Sequence, residues 1–211
     1  MSNSRLSPEE IRTLLVKTAK TQFLEKGIVN TEMKDIAALA NISRSTLYRH
    51  IIDRNQLAFL VSIEILTDLH EKCFSLSMPV SACGFEKLSL FMHHLIDTLC
   101  QNVNLVSYLS EFDCLFRGDY PDIPEAKNYI DTINRMLNYV AQFLFEGLAD
   151  NSIKPISNPL FFISVLINTI FGIAQRVLPR DAHYAEEHHT SGRELMTGAI
   201  DIMLESVANK K

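Results

Sequence analysis

The sequence lacks the features that direct a chain into a membrane or out of the cell. Its first twenty residues are polar and charged, without the apolar core of a secretory signal. The longest apolar run, LFFISVLINTIFGIA from Leu160, contains polar residues and is shorter than the ~18 residues that suggest a membrane span. We therefore predict that this run is a buried helix, and that the protein is cytoplasmic and makes no membrane contact.

A recognisable metal or catalytic site is also missing. The four cysteines are irregularly spaced with no CxxC pair, which argues against a zinc site or a disulfide framework. His93 and His94 are adjacent, so on a helix they point about 100° apart and cannot share one ion. No nucleophile or orienting acid lies at a recognisable spacing from His50. We expect no metal, no cofactor and no enzymatic activity.

Charge is unevenly distributed along the chain. Residues 1–60 hold nine Lys or Arg against six Asp or Glu, and residues 61–211 hold eleven against nineteen. The first part therefore carries +3 and the second −8, which sum to the net charge of −5. This asymmetry predicts that only the N-terminal part meets a polyanion.

Helix signals begin near the start of the chain. Ser7 is placed as an N-cap, with Pro8 at the first helical position and Glu10 completing a capping box. Gly27 is well placed to end this first helix. Thr31 is predicted to be the N-cap of a second, shorter helix.

The stretch NISRSTLYRHIIDR, which starts at Asn41, predicts a tight turn followed by a third short helix. Asn41 tolerates the left-handed conformation that the turn needs, and Ser43 is an N-cap. Leu47 and Ile51 are i,i+4 neighbours that face inward. The opposite arc of this helix carries four polar side chains, those of Arg44, Ser45, Tyr48 and Arg49.

Two short helices joined by a tight turn form a helix-turn-helix, and this one has a polar face that suits DNA. Arg can bind a guanine edge with two hydrogen bonds, while cations and hydroxyl groups can bind phosphates. The alternative, from the residues alone, is a solvated helix face in an all-α bundle. Asp53 is predicted to cap the next helix, with Gln56 at the capping-box position.

From Ile11 to Val61 the sequence resembles the N-terminal domain of the TetR family of bacterial transcriptional regulators. The resemblance is carried by Ala19, Phe23, Gly27, Thr31, Ile36, Ala37, Ala40, Ile42, Ser43, the TLYRH run at Thr46–His50, and Leu57. It departs at Asn41, where the family usually has Gly, and at Ile51, where it usually has Phe. The resemblance implies an all-α fold with two domains. These are a three-helix helix-turn-helix DNA-binding domain in residues 1–54, and a helical effector-binding and dimerisation domain in residues 55–211.

DNA contacts follow from the same resemblance. The residues expected to lie in the major groove are Arg44, Ser45, Thr46 and Arg49. Those expected to hold phosphates are Thr31, Lys34, Tyr48, His50 and Arg54.

The remainder of the chain is predicted to be helical. Helices are expected at 54–74, 85–101, 105–116, 125–149, 160–178 and 191–207, with a loop at 117–124 and another around His183, His188 and His189. The helix at 160–178 is apolar on nearly every side, so a monomer core or a second subunit must cover it. In the TetR family the last two helices form a four-helix dimer interface, and the resemblance implies that role for 160–178 and 191–207.

Two sets of residues are candidates for an effector site. Ser164, Asn168, Phe171 and Gln175 form a mostly polar stripe that could face a cavity or pair within the core or dimer interface, and we favour pairing. The aromatic residues Phe91, Tyr108, Phe112 and Tyr129 are expected on inner faces. They would be plain core or the lining of a pocket for a bulky, largely apolar compound.

The sequence as a whole predicts a homodimeric TetR-like regulator that binds operator DNA and acts as a repressor. By resemblance, a small effector shifts the helix that begins at Asp53 and weakens the grip of the two reading helices. One alternative is a DNA-binding dimer of the same fold that answers to a protein partner or to nothing. Another is an all-α enzyme or carrier whose basic helix is incidental.

Overall fold

The regular structure is helical, as predicted. The computed structural model describes residues 6–74 and 76–209, with Phe74 described through its backbone alone, and no strand occurs in those residues. The helices are α1 Pro8–Lys26, α2 Met33–Leu39, α3 Arg44–His50, α4 Arg54–Phe74, α5 Gly84–Gln101, α6 Val103–Leu115, α7 Pro124–Ala149, α8 Pro159–Val177, α9 Asp181–His188 and α10 Gly192–Val207, with a 3-10 turn at Leu178–Arg180.

Local capping interactions confirm several predicted helix starts. The Ser7 hydroxyl accepts from the Glu10 N–H, and the Glu10 carboxylate accepts from the Ser7 N–H, so the predicted capping box is present. Gly27 ends α1 at a φ of 84°, which favours glycine. A second capping box at Ser191 starts α10, and the Asn158 side chain caps α8.

Two predictions about local structure are wrong. Thr31 does not cap α2, because the N-cap is Glu32, which makes no side-chain capping bond. The segment around His183 and His188 is not the predicted loop, because a 3-10 turn with Pro179 in its first positions, where the missing N–H costs nothing, leads directly into α9. The histidines at 183 and 188 are therefore helical, and His189 ends α9 in the left-handed conformation at φ 54°.

The chain divides into two compact units. The first comprises the chain up to Leu66 together with Ser107–Ile130, and the second comprises Thr67–Val106 together with the chain from Asp131 onward. The boundaries fall within α4, α6 and α7. Because these units combine distant parts of the sequence, they differ from the predicted division at residue 54, which stays a prediction about function.

An aromatic cluster fills the core of the first unit. Phe59 of α4 is fully buried, and its ring packs against Phe112, Phe116, Tyr120 and Tyr129 at centroid distances between 4.7 and 5.7 Å. Aromatic pairs at such distances add about 0.5–1.5 kcal/mol each to the gain from burial. The cluster therefore fixes α4 against α6 and α7 within this unit.

In the second unit, α8 is buried on one side only. Its inward residues are Ile163, Leu166, Ile170, Ala174 and Val177, which belong to a core shared with α5 and α10. On its outward side, Leu160 and Phe161 are exposed. A single chain therefore does not provide the cover on every side that the apolar sequence of this helix predicts.

One helical stretch of the described residues, 159–188, could cross a membrane by length and composition alone, a test that core helices of soluble proteins also pass.

Candidate nucleic-acid interface

The first three helices form a compact helix-turn-helix. Asn41 follows α2 at a φ of 54°, in the left-handed conformation predicted for it. Its N–H bonds the Ala38 carbonyl, and the Ile42 N–H bonds the Ala37 carbonyl, so the turn closes with the paired bonds of a Schellman motif. The turn therefore sets the direction in which α3 leaves α2.

The third helix presents the polar face that its sequence predicts. Leu47 and Ile51 are buried, and the burial of each side chain stabilises the packing of α3 by about 1.5–3 kcal/mol. The side chains of Arg44, Ser45, Tyr48 and Arg49 are exposed, while those of Thr46 and His50 are half-buried. Ser43 caps the helix by accepting the Thr46 N–H at 3.0 Å, as predicted.

Hydrogen bonds between side chains order this face. The Ser43 hydroxyl lies 2.8 Å from the hydroxyls of both Ser45 and Thr46. The Arg49 guanidinium donates from Nη2 to the Thr46 hydroxyl at 3.1 Å. A long arginine held in this way loses less conformational entropy when it binds a base edge.

A shallow groove beside α3 collects further basic groups. Its lining consists of Thr31, Glu32, Met33, Lys34, Arg44, Tyr48 and Arg54. The groove thus gathers five of the nine predicted DNA-contacting residues in one place. Three of them are cationic, which suits the phosphate backbone.

Three members of this groove differ from the sequence-based expectation. Glu32 was not foreseen, and its carboxylate pairs with the Lys34 ammonium at 2.5 Å, which lowers the pKa of Glu32 and raises the pKa of Lys34. The Thr31 side chain is buried, and its hydroxyl donates to the Gly27 carbonyl at 2.8 Å. Its assignment as a phosphate contact stays a prediction that this burial disfavours.

Comparison with known proteins identifies the arrangement. The family described as bacterial regulatory proteins, tetR family, matches residues 15–59, from within α1 to the beginning of α4. The HTH-type transcriptional repressor KstR2 of Mycolicibacterium smegmatis is 27% identical over 150 residues, 70% of each chain. Residues 15–59 therefore match the N-terminal helix-turn-helix domain of the TetR family, and the rest of the chain shares the fold of such regulators. The protein is a transcriptional regulator with a helix-turn-helix DNA-binding region, as the sequence predicts.

Solved structures extend the likeness of fold over the whole chain. A tetR-family regulatory protein from Rhodococcus RHA1 superposes with a TM-score of 0.67 at 15% identity, covering 96% of this chain and 99% of that one. The ketosteroid transcriptional regulator KstR2 of Mycobacterium tuberculosis gives 0.59 at 15% identity, covering 100% and 98%. The α-helical C-terminal part is therefore the TetR-family fold as well.

The predicted effector-contacting residues lie in different places. Tyr108, Phe112 and Tyr129 are buried in the aromatic cluster of the first unit, whereas Phe91 is buried in the core of the second. The Tyr108 hydroxyl donates to the Ala58 carbonyl at 2.8 Å, and burial raises its pKa. These four side chains are well-packed core residues, and a role in lining a pocket stays a prediction.

The polar stripe of α8 faces outward from its own chain. Asn168 is exposed, and Phe171 and Gln175 are half-buried. The Asn168 amide donates to the Ser164 carbonyl at 2.8 Å, one turn earlier in the same helix. Its polar group is thus satisfied locally, and the predicted choice between a cavity and pairing across a dimer stays open.

Two acidic residues that sequence analysis missed complete the first unit. Glu111 of α6 accepts from the N–H groups of Ile28 and Val29, at 2.8 and 2.9 Å. Glu125 of α7 is buried and accepts from the Arg12 guanidinium of α1 at 2.5 Å. No local pattern signals either contact, because the partners are separated by 82 to 113 residues along the chain.

Proposed function

We propose that this regulator is a repressor that binds operator DNA as a homodimer in the cytoplasm and is released by a small, largely apolar effector. The observation that carries the DNA-binding part is the exposed polar face of α3, with Arg49 held by Thr46 beside a groove of basic side chains. Arg44, Ser45, Thr46 and Arg49 would read bases, and Lys34, Tyr48, His50 and Arg54 would contact phosphates.

Arg49→Ala tests the assignment of α3 as the reading helix. A bidentate contact between arginine and guanine contributes about 1–3 kcal/mol to discrimination, so we expect operator affinity to fall roughly five- to 150-fold with relaxed selectivity at one base pair. The matched control is Arg117→Ala, which removes the same charge from an exposed loop. The probe is an operator that the wild-type protein selects from a random-sequence pool, titrated across a salt series.

Equal losses for the two variants would mean that only net charge matters and that α3 does not read the sequence. Selection of no sequence by the wild type would contradict operator binding itself. The first result would move the reading residues elsewhere in the chain, and the second would favour the alternative of an all-α enzyme or carrier whose basic helix is incidental.

The helices α8 and α10 pack against each other within one chain. The dimer proposal rests on the sides of these two helices that face away from that chain. Phe161 is 66% exposed and Ile202 is 72% exposed, and a Cβ added at Gly172 or Gly198 would meet nothing within 4 Å. These faces therefore expose large apolar side chains beside positions that are open to close approach. Members of the family typically bind DNA as dimers, and an operator with two half-sites matches a twofold protein.

Ile202→Asp tests this interface. Burying a whole isoleucine side chain contributes about 1.5–3 kcal/mol, and each dimer would lose two such contacts and gain two buried charges. We expect a folded monomer in analytical ultracentrifugation, with operator binding reduced at least tenfold. Val80→Asp is the control, since Val80 is fully exposed in a turn of the same unit. A dimer that survives Ile202→Asp unchanged would place the interface elsewhere.

The effector proposal draws on the relatives. The Mycobacterium tuberculosis neighbour is described as a ketosteroid transcriptional regulator, so fused-ring, largely apolar compounds are our first candidates. Candidate contacts remain Phe91, Tyr108, Phe112 and Tyr129 of the core, and Asn168, Phe171 and Gln175 of α8. A compound that raises the melting temperature and releases the operator would support this part. Binding compounds that leave operator affinity unchanged would favour the alternative of control by a protein partner or by no ligand.

A further inference from the structure

In the turn between α1 and α2, charged side chains bind both the N–H and the carbonyl of Val29. The Glu111 carboxylate accepts from the Ile28 N–H at 2.8 Å and from the Val29 N–H at 2.9 Å. On the other side, the Arg54 guanidinium donates to the Val29 carbonyl at 2.8 Å. We call this arrangement the turn clamp. It joins α6, the turn and the first residue of α4 within one compact unit.

The geometry around Gly27 shows how closely the carboxylate approaches. Gly27 has a φ of 84°, and a Cβ added there would lie 2.8 Å from a Glu111 oxygen. The two N–H groups therefore converge on one carboxylate, which forms stronger hydrogen bonds than a neutral acceptor would. A Cβ at this position would push the Glu111 carboxylate out of place, so the absence of a side chain at Gly27 favours the observed contact.

The clamp matters for DNA because Arg54 lies in the basic groove. A guanidinium has five N–H donors, so the bond to Val29 leaves others for a phosphate. The position of Val29 thus determines where the Arg54 guanidinium is held. We propose that Glu111 is a positioning residue for operator binding, which holds the turn so that Arg54 meets a backbone phosphate. This inference rests on the proposed function and assigns a role in it to a residue that need not touch DNA.

Glu111→Gln is the informative change. A glutamine presents one carbonyl oxygen and one NH₂ group, so it cannot accept the two N–H groups on separate oxygens as the carboxylate does, and its NH₂ group would face an N–H donor. Removing a negative charge would by itself strengthen DNA binding. The positioning role predicts the opposite sign, an operator affinity lowered by about fivefold or more. Asp119→Asn is the control, because it removes the same charge from an exposed loop of the same unit.

A double-mutant cycle with Arg54→Ala separates positioning from a general loss of stability. If Glu111 acts through Arg54, the double variant binds about as weakly as Arg54→Ala alone. Glu111→Gln should also make the dependence on salt shallower, as the loss of a phosphate contact does. Hydrogen exchange of the Ile28 and Val29 amides should become faster in the variant.

The experiment uses the full-length chain and an operator selected from a random pool by the wild type. Failure of the wild type to select DNA overturns operator binding and the role of Glu111 together. Glu111→Gln binding as tightly as Asp119→Asn overturns the role of Glu111 and leaves operator binding intact. Additive losses in the cycle overturn action through Arg54. Should Glu111→Gln not fold, Glu111→Asp keeps the charge with a shorter reach, and wild-type affinity in that variant overturns the proposal.

Discussion

Two salt bridges in this protein differ in the burial of one partner, which makes them a matched test of what a buried ion pair contributes. The shortest N–O distance is 2.5 Å in both the Arg12–Glu125 pair and the Arg180–Glu187 pair, and the two arginines are 41% and 43% exposed. The carboxylates differ, because Glu125 is 8% exposed and Glu187 is 50% exposed. Substitution of either arginine by methionine keeps the aliphatic stem and removes the charge.

Arg12→Met should be the costlier change. Without the guanidinium, the buried Glu125 carboxylate keeps the Gln56 amide as a donor, at 3.1 Å from Oε1. Its other oxygen, Oε2, has no hydrogen-bond partner even with Arg12 present. Breaking a fully buried pair costs about 3–5 kcal/mol, and an exposed pair contributes about 0–1 kcal/mol. Because water screens the partly exposed Arg12, we expect a loss of about 2–3 kcal/mol. This loss lowers the melting temperature by roughly 4–12 °C in a chain of this size.

Arg180→Met should cost less than about 1 kcal/mol by the same argument. Urea titrations followed by circular dichroism, at one fixed protein concentration, give the free energy of unfolding of both variants and of the wild type. Equal losses would refute the reasoning, since the shortest N–O distance and the arginine exposure are matched, whereas Glu125 is buried and Glu187 is half exposed. A loss near zero for Arg12→Met would mean that Glu125 becomes neutral or hydrated without cost.

Three further experiments test the proposed reading surface and the cysteines. Thr46→Val removes the hydroxyl that holds Arg49 and should weaken operator binding about fivefold, whereas Thr46→Ser should bind like the wild type in fluorescence titrations. Glu32→Gln should strengthen DNA binding, because it frees the Lys34 ammonium from its ion pair. The slope of the logarithm of the binding constant against the logarithm of the salt concentration should become steeper by about 1 per subunit. Burial raises the pKa of Cys73 to about 11, so maleimide at neutral pH should label the exposed Cys114 first and Cys73 only after unfolding, as mass spectrometry can follow.

Local features of the fold could be predicted from the sequence because their partners lie within four residues. The Ser7 and Ser43 caps and the left-handed Asn41 depend on short-range geometry, and the structure contains all three. The buried pair on α3 follows from helical spacing in the same way. Resemblance to a family added what spacing cannot supply, namely the prediction that this face reads DNA.

Other features could not be predicted, for physical reasons that differ from case to case. Helix α9 buries no residue, so it has no apolar periodicity to reveal it. Thr31 is a residue type that often caps helices, yet its hydroxyl donates to the Gly27 carbonyl instead. Only the packing of the turn determines which of these bonds forms. The outward direction of the polar stripe on α8 depends on which side meets α10, and that stripe is flanked by apolar residues on both sides.

The division of charge along the sequence also hides how the acids are used. Glu111 and Glu125 belong to the acidic part of the chain, but both fold into the same compact unit as the basic helix-turn-helix. A seven-residue helix such as α3 is too short to be stable alone, so its position depends on what holds its neighbours. Glu111 binds the turn that precedes α2, and Glu125 binds Gln56, whose side chain accepts the Ile52 N–H just after α3. The two acids therefore hold the segments on either side of α2 and α3, which is a structural reason for a DNA-binding unit to contain one buried and one half-buried acidic side chain.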